Sequence, residues 1–451
     1  MDKNKKVLLI AGVGMVLVLG LLLLISLTRK NSNTDNSTTG GTAGQTTNSG
    51  QSVTLEYWGL WEPEGVMQPL IDQYEQQNPS VKIVYVQKSF TQYEENVYTR
   101  LKQGTTSDSP SPDILRINNT WLSKFQPYLY PLPQDIMSAS DYQSTFYPTA
   151  VSDLTGTDFG IYAIPLEVDG LALFYNKELL DQQGIQTPPS DWDSIIDLSK
   201  KLTKKDSSGN ITQAGIAMGA SENITHSADI FSMLLLQNGA TIINDTNTVV
   251  DITSSRAITA LDFYTDFVKV HEVWSPDLAN DLEMFYSGKL AMMLAPSWRS
   301  FDIINANSSI EFGVAPAPII SDQKMYYSMY WAEAVSKDSE NPTEAWKFVK
   351  FLSEQSQLKA FHGNSVQIAG RAFGEPYSRQ DMSGLLQSNP YAGAIIQMAP
   401  DMKAWKMGEQ AFVEQSFRDA ITNAVVNGQT SADALSTAQK DINDKLASSV
   451  Q

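Results

Sequence analysis

A chain of 451 residues is long enough to bury a large core and to form two lobes, and 17 Phe, 18 Tyr and 9 Trp exclude general disorder. The formal net charge is −18 and the acidity lies beyond the first thirty residues, so the body repels nucleic acid and gains nothing from anionic lipid head groups. Cysteine is absent, which removes disulfides, zinc–thiolate sites, cysteine nucleophiles and a thioether-linked lipid anchor. The histidines, His226, His271 and His362, stand at no metal spacing from one another, and neither a metal nor a cofactor is expected.

Val7 to Leu27 is an unbroken apolar run between Lys3, Lys5, Lys6 and Arg29, Lys30. At ~1.5 Å per residue it spans about 31 Å, the hydrocarbon thickness of a bilayer. Thr28, Arg29, Lys30 and Asn31 follow, a poor context for signal cleavage, so residues 1–30 are expected to persist as a transmembrane helix. Residues 31–52 are Ser, Thr, Gly, Asn and Gln in the main, without aromatics or periodicity, and form a flexible linker with an end-to-end distance of about 25 Å.

The body opens with a strand in which Val53, Leu55 and Tyr57 alternate, then a Trp-Gly-Leu-Trp turn and a helix over about 64–77. Pro69 is expected near the first turn of that helix, where a missing donor costs least. A strand over 81–86, a helix near 93–103, a strand over 113–117 and a helix containing Trp121 and Phe125 follow. The alternation predicts βαβ units and a mostly parallel sheet. Ligands of such sheets bind beyond the C-terminal strand ends, where Trp58, Trp61 and Glu62, then Asn118, Asn119 and Trp121, fall. Farther on, Ser190-Asp191-Trp192-Asp193 and Asn341-Pro342-Thr343-Glu344 each start an amphipathic helix.

Several blocks resemble a known family. Val53-Thr-Leu-Glu-Tyr-Trp-Gly, Pro112-Asp113-Ile114, Ile164 to Gly170 before Phe174-Tyr175-Asn176-Lys177, Gly288 to Met293 before Pro296-Ser297-Trp298, and the stretch Ala420 to Leu446 are similar, in order, to the family 1 extracellular solute-binding proteins related to maltose-binding protein. The resemblance covers roughly residues 53–446. It implies an α/β, two-lobed periplasmic-binding-protein-like fold whose lobes are joined by crossover strands. We expect residues 53–165 with 333–370 to form one lobe and 166–332 with 371–451 the other. It also implies an extracellular receptor that catalyses nothing and delivers a carbohydrate to the permease subunits of an ABC transporter. Here the receptor would be tethered to the cell membrane by the N-terminal helix, and a monomer is expected.

A carbohydrate site needs flat aromatic faces for the sugar's C–H surface and carboxylates or amides for its hydroxyls. Trp298 tops the apolar strand Leu290–Leu294, and by resemblance it matches the family's stacking tryptophan; Arg299 beside it could bridge a carboxylate or a hydroxyl. Trp405 matches another cleft aromatic of the family. Glu167 and Asp169 lie two apart at the expected first crossover and point the same way if extended. Trp331 and Glu333 form a similar pair at the expected second crossover. Asn223 and His226 could reach the cleft from the opposite lobe, Trp192 and Trp346 read as packing residues, and Trp274 reads either way. Two rivals stand beside this reading. The Glu167/Asp169 pair could serve a secreted glycoside hydrolase, and the same architecture could take a peptide, polyamine or glycerol phosphate.

Overall fold

The structure, a computed structural model, describes residues 52–106, 110–306, 309–320 and 324–449. The expected membrane anchor, and all of the expected linker except Ser52, lie outside the described residues. Among the described residues no helix is long and apolar enough to cross a membrane.

The described strands are β1 (Val53–Gly59), β2 (Val81–Gln87), β3 (Ile114–Asn118), β4 (Ala163–Pro165), β5 (Ala172–Asn176), β6 (Lys204–Lys205), β7 (Ile211–Ile216), β8 (Leu290–Ala295), β9 (Phe312–Pro316), β10 (Tyr326–Tyr327), β11 (Trp331–Val335) and β12 (Met402–Lys403). They build two five-stranded sheets, ordered β2-β1-β3-β11-β4 and β6-β7-β8-β5-β9, and a small β10-β12 ribbon. Each large sheet is the centre of one lobe. β1 buries Leu55 and Tyr57 on alternate positions, whereas every residue of β3, β5 and β8 is buried, as suits strands covered on both faces.

The sheets are mixed, which corrects the expected parallel arrangement. β1 pairs in parallel with β2 and β3, but β11 runs antiparallel to both β3 and β4. In the second sheet β7 and β8 are parallel, and the other three pairings are antiparallel. The cause is the chain's route. β5 and β11 are each reached from the other lobe rather than through a helix on their own sheet, so the right-handed βαβ rule does not set their direction.

Local signals decide the helices. The helix Trp192–Leu202 starts at Asp191, whose Oδ1 accepts the Ser194 amide at 2.8 Å. The helix Glu64–Gln77 buries Val66, Met67, Leu70, Ile71 and Tyr74. Pro69 lies inside it, beyond the first turn where it was expected. Pro69 and Gly65 are both exposed, so the Gly65 carbonyl that loses its amide partner faces water. The predicted helix at Trp121 is only Leu122–Phe125, with Trp121 at its N-cap.

The chain passes between the lobes three times. It leaves β4 for β5, returns from β9 to β11, and passes again after the helix Gln355–Gln367, which packs on Glu64–Gln77. The last long helices, Gln410–Val425 and Ser431–Ser449, then pack with Ser255–Lys269 in the second lobe. Backbone bonds lay the three passages side by side. Leu171 N donates to Tyr327 O at 3.1 Å, Met329 N to Asp169 O at 2.8 Å, and Val168 N to Pro376 O at 2.9 Å. Gly170 makes this approach possible, because a Cβ there would stand 2.3 Å from the Tyr327 carbonyl oxygen. Gly170→Ala should therefore lower stability by about 1–3 kcal/mol in urea titration. Gly363→Ala, in a helix with nothing within 4 Å of the new methyl, should be neutral or slightly stabilising. Equal midpoints for the two variants would refute the close-approach role of Gly170.

Candidate functional site

β1, β2 and β3 end on one edge of their sheet. Because β11 runs the other way, its first residue, Trp331, sits opposite Asn118 on that same edge. Loops leaving the edge gather aromatic rings around it. Trp61 lies 4.8 Å from Phe90 and 6.1 Å from Trp331, and Phe90 lies 6.1 Å from Trp331, between ring centroids. Trp121 abuts Trp331 at 5.1 Å, edge to face, and Tyr93 backs it at 6.4 Å. Trp61 is 38% exposed and Phe90 55% exposed, so the patch opens to solvent.

Beneath the patch lies an ion network. Arg116 is the middle residue of β3 and is fully buried. Its Nη1 donates to Glu62 Oε2 and its Nε to Glu333 Oε1, both at 2.7 Å. Glu333 is the register partner of Arg116 across the antiparallel β3–β11 pair. Arg371 approaches the other Glu62 oxygen at 3.8 Å. Glu167 lies in the same field; burial pushes its carboxyl up to about 7 against the opposing pull of Arg116.

A second aromatic site stands at the end of β8. Ser297 gives its amide (3.0 Å) and its hydroxyl (2.8 Å) to the two Asp169 carboxylate oxygens, so the first passage between the lobes holds the turn that presents Trp298. Trp298 is 36% exposed. The Arg299 guanidinium carbon lies 4.1 Å over its ring, steadied by Asp302 at 2.8 Å, and the His226 ring meets it edge-on at 6.1 Å. The two aromatic sites are connected. Arg371 stands 5.5 Å over Phe301, in the helix that Trp298 begins, and reaches Glu62 beside Trp61.

The family model described as bacterial extracellular solute-binding protein matches residues 61–358. The chain belongs to that family. Among its relatives, a putative binding protein of Brucella abortus (strain 2308) is 22% identical over 299 residues, covering 64% of this chain and 69% of the relative. An arabinooligosaccharide-binding protein of Halalkalibacterium halodurans is 24% identical over 230 residues, 48% of this chain and 47% of the relative. In fold the chain is similar to the sugar-binding protein MalE of Xanthomonas citri, with a TM-score of 0.72 and 21% identity over 88% of this chain and 98% of that one.

Not every expected residue of this solute-binding protein joins the two aromatic sites. Trp58 stands apart, its Nε1 on Glu56 and Lys88 over its ring at 3.8 Å. Trp405 is 5% exposed and contacts Phe417 and Ser232, on two helices of the second lobe. Asn118 accepts from the Thr120 amide and hydroxyl. Asn223 is fully engaged, donating to Ser275 O and Leu278 O and accepting from Trp274 Nε1, which places Trp274 in the core. Trp192 and Trp346 are buried, as packing residues are. Phe90, Arg116 and Arg371 were not anticipated. Phe90 follows the C-terminal end of β2 by three residues, the same signal that had singled out Trp61, and a lone arginine within Ile114-Leu-Arg-Ile-Asn118 demands a buried counter-charge. Nothing in the sequence marks Arg371. Among the described residues no group of three or more His, Cys, Asp or Glu could hold a metal ion.

Asn119 belongs to a further buried cluster. Its Nδ2 (2.9 Å), Thr149 Oγ1 (3.0 Å) and the Tyr330 hydroxyl (3.0 Å) all donate to Asp153 Oδ2. Burial nevertheless pushes Asp153 from its ordinary 3.8 up to about 6. A raised folded-state pKa means that the native protein holds this proton more tightly than the unfolded chain does. The resulting stabilisation is complete below pH 3.8 and is lost as pH rises through about 6. The stability of Asp153→Asn relative to the parent should therefore increase by up to about 3 kcal/mol between pH 4 and pH 7. Urea midpoints across that range check the sign, and a gap independent of pH would contradict it.

Proposed function

We propose that this protein is the substrate-binding subunit of an ABC importer, and that it captures an oligosaccharide between its two lobes and presents it to the permease. The reading divides the body into 53–165 with 333–370 and 166–332 with 371–451, with the first lobe beginning two residues earlier at its return, since β11 starts at Trp331 and lies whole in the first sheet. One observation carries it: an open patch of Trp61, Phe90 and Trp331 on the strand-end edge of one lobe, with a second exposed indole, Trp298, held on the other. Flat, partly exposed rings are what sugar C–H faces stack on, and they offer a phosphate none of the charge-assisted bonds it needs. The names of an arabinooligosaccharide-binding relative and a sugar-binding structural neighbour support the same ligand class.

In this reading the aromatic residues touch the sugar. Glu62, Glu333, Asp169 and Asn119 hold the frame, because they are buried and bonded to protein partners, Glu62 and Glu333 through one carboxylate oxygen each. Glu167 and Asp169 are then poor candidates for an acid–nucleophile pair: Asp169 accepts from Ser297 twice and from the Gly170 amide at 2.7 Å. This supports a reading of binding without catalysis.

A thermal-shift screen with maltotetraose, mannobiose and arabinotriose, followed by calorimetry on the tightest, tests the reading. Trp61→Ala and Trp298→Ala should each weaken that sugar about thirtyfold, roughly 2 kcal/mol, with little change in melting temperature. Trp192→Ala should cost about 3–5 kcal/mol of folding stability instead. A parent protein that none of a broad set of neutral oligosaccharides stabilises would sink the proposal.

We also propose that residues 1–30 stay attached as a single-pass anchor, with the binding body outside the cell. The protein should remain in the membrane pellet after alkaline extraction and keep its first residues on N-terminal sequencing. A mature chain beginning near Asn31 would show the segment to be a removed signal.

A further inference from the structure

The short helix Leu122–Phe125 has two differently occupied sides. Trp121 and Phe125 stack at 5.4 Å toward the aromatic patch, whereas Ser123 and Lys124, about 100° and more around the helix, line a separate cavity of about 840 Å³. The cavity lies toward the far end of β11 from Trp331. Tyr130 N donates to Val335 O at 2.8 Å, and Lys337 N to Tyr128 O at 2.9 Å, so the tyrosine-bearing wall runs on from the end of that strand. Its volume is within the ~300–1,000 Å³ usual for small-molecule sites.

The walls come from both lobes. Tyr98, Tyr128, Tyr130 and Tyr162, with Pro127 and Pro131, supply flat apolar surface from the first. Thr246, Asn247, Thr248 and Leu446 face them from the second. The Thr246–Thr248 turn is tied there because Val250 N, beyond it, donates to Asn443 Oδ1 at 2.7 Å on the C-terminal helix. The buried charge within the cavity is compensated, while Lys337, on its exposed rim, approaches a neutral group, the Pro127 carbonyl, at 3.5 Å. The Lys124 ammonium is bound by Glu94 at 3.0 Å and Glu409 at 3.1 Å and covers one face of Tyr98 at 4.6 Å. What remains is neutral hydrogen-bonding capacity: the Asn247 amide, the Thr157 hydroxyl, the Gln126 amide beyond its 3.1 Å bond to Asp158, the Thr246 and Thr248 hydroxyls beyond their 2.8 Å bond to each other, and a buried Ser123 hydroxyl with no hydrogen-bond partner among the described residues.

We propose that this cavity is a second binding site for a neutral saccharide, distinct from the one between Trp61 and Trp298. Tyrosine and proline faces accept sugar C–H surface, and amides and hydroxyls take the ring hydroxyls. An anionic ligand finds the buried ammonium of Lys124 already neutralised by Glu94 and Glu409 and meets only the exposed, solvent-screened Lys337, and a cationic ligand finds Glu409 held by Lys124. Because both lobes line the site, a bound sugar bridges them, and any change it makes in the affinity of the first site equals the change the first makes in its own.

The test uses the full chain labelled with 3-fluorotyrosine, its resonances assigned by Tyr→Phe substitution, and titrated with maltotetraose, mannobiose and arabinotriose at millimolar concentration. In a Trp61→Ala/Trp298→Ala background, at least one sugar should still shift Tyr98, Tyr128 or Tyr130, and Thr157→Trp, which fills the cavity from an exposed rim position, should abolish that shift. Tyr128→Ala should weaken it at least tenfold in a protein with unchanged melting temperature. Loss of every tyrosine shift in the Trp61→Ala/Trp298→Ala background overturns the second site while leaving the first intact. Tighter cavity binding by glucuronate or glucose 6-phosphate than by any neutral sugar overturns the assigned ligand class. Absence of tight binding to the parent bears on the first site alone, since the cavity shifts are read independently of it.

Discussion

Arg116 sits in the middle of an apolar strand with no access to water, and elements far apart in the chain answer its charge. Taking a guanidinium out of water costs several kcal/mol, and only close, hydrogen-bonded carboxylates offset that. Glu62 arrives from the loop after β1 and Glu333 from β11, each by a 2.7 Å bond. The geometry this imposes is what the aromatic patch needs. Trp61 is the neighbour of Glu62 in sequence, and Trp331 shares a face of β11 with Glu333, two residues away. A network whose energetic return is doubtful for stability alone thus fixes the register of two tryptophans. Glu62 and Glu333 each retain one buried oxygen without a hydrogen bond, so a single arginine does not saturate two carboxylates; Arg371 brings a second positive charge to 3.8 Å from Glu62.

The same network shows where sequence reading succeeds. The strand ends and the tryptophans that follow them were legible, because periodicity marks β1 and β3 and the position of a ligand site on an open sheet follows from topology. The helix start at Asp191 was legible from its capping side chain, and the one at Asn341 from Pro342 at the first position and Glu344 in the first turn, although Asn341 itself makes no side-chain cap bond. Strand direction was not, because local pattern is the same for a strand reached through a helix and for one reached from another lobe. The roles of the acids were also hidden. Glu62, Asp169 and Glu333 look like ligand groups in a linear sequence, and only the fold reveals that Arg116 and Ser297 already occupy them. Partner identity across hundreds of residues leaves no periodic trace.

The three passages between the lobes form one ribbon rather than three independent tethers. Asp169 illustrates the coupling: its carboxylate holds Ser297 under Trp298, while its carbonyl accepts the Met329 amide two residues before Trp331. A rotation of one lobe against the other is therefore felt at both aromatic sites through a single residue. Trp121 adds a side-chain link, its Nε1 donating to Gln410 Oε1 at 2.6 Å, at the start of a second-lobe helix. Hinges of this kind absorb movement in a few backbone torsions while the packed lobes stay rigid.

The position of β11 between β3 and β4 has a consequence for how the molecule is made. Among the described residues β4 pairs with no strand but β11, and Arg116 meets Glu333 across 217 residues of sequence. While the chain is being synthesised, the first sheet keeps an open edge and a charge lacking half of its counter-ions until β11 emerges. Closing so long a loop must be accomplished before the contact it brings can contribute, a condition that slows folding. The lobe that begins the body is thus the one that cannot be finished early, and the nascent polypeptide stays unlocked until most of its length exists.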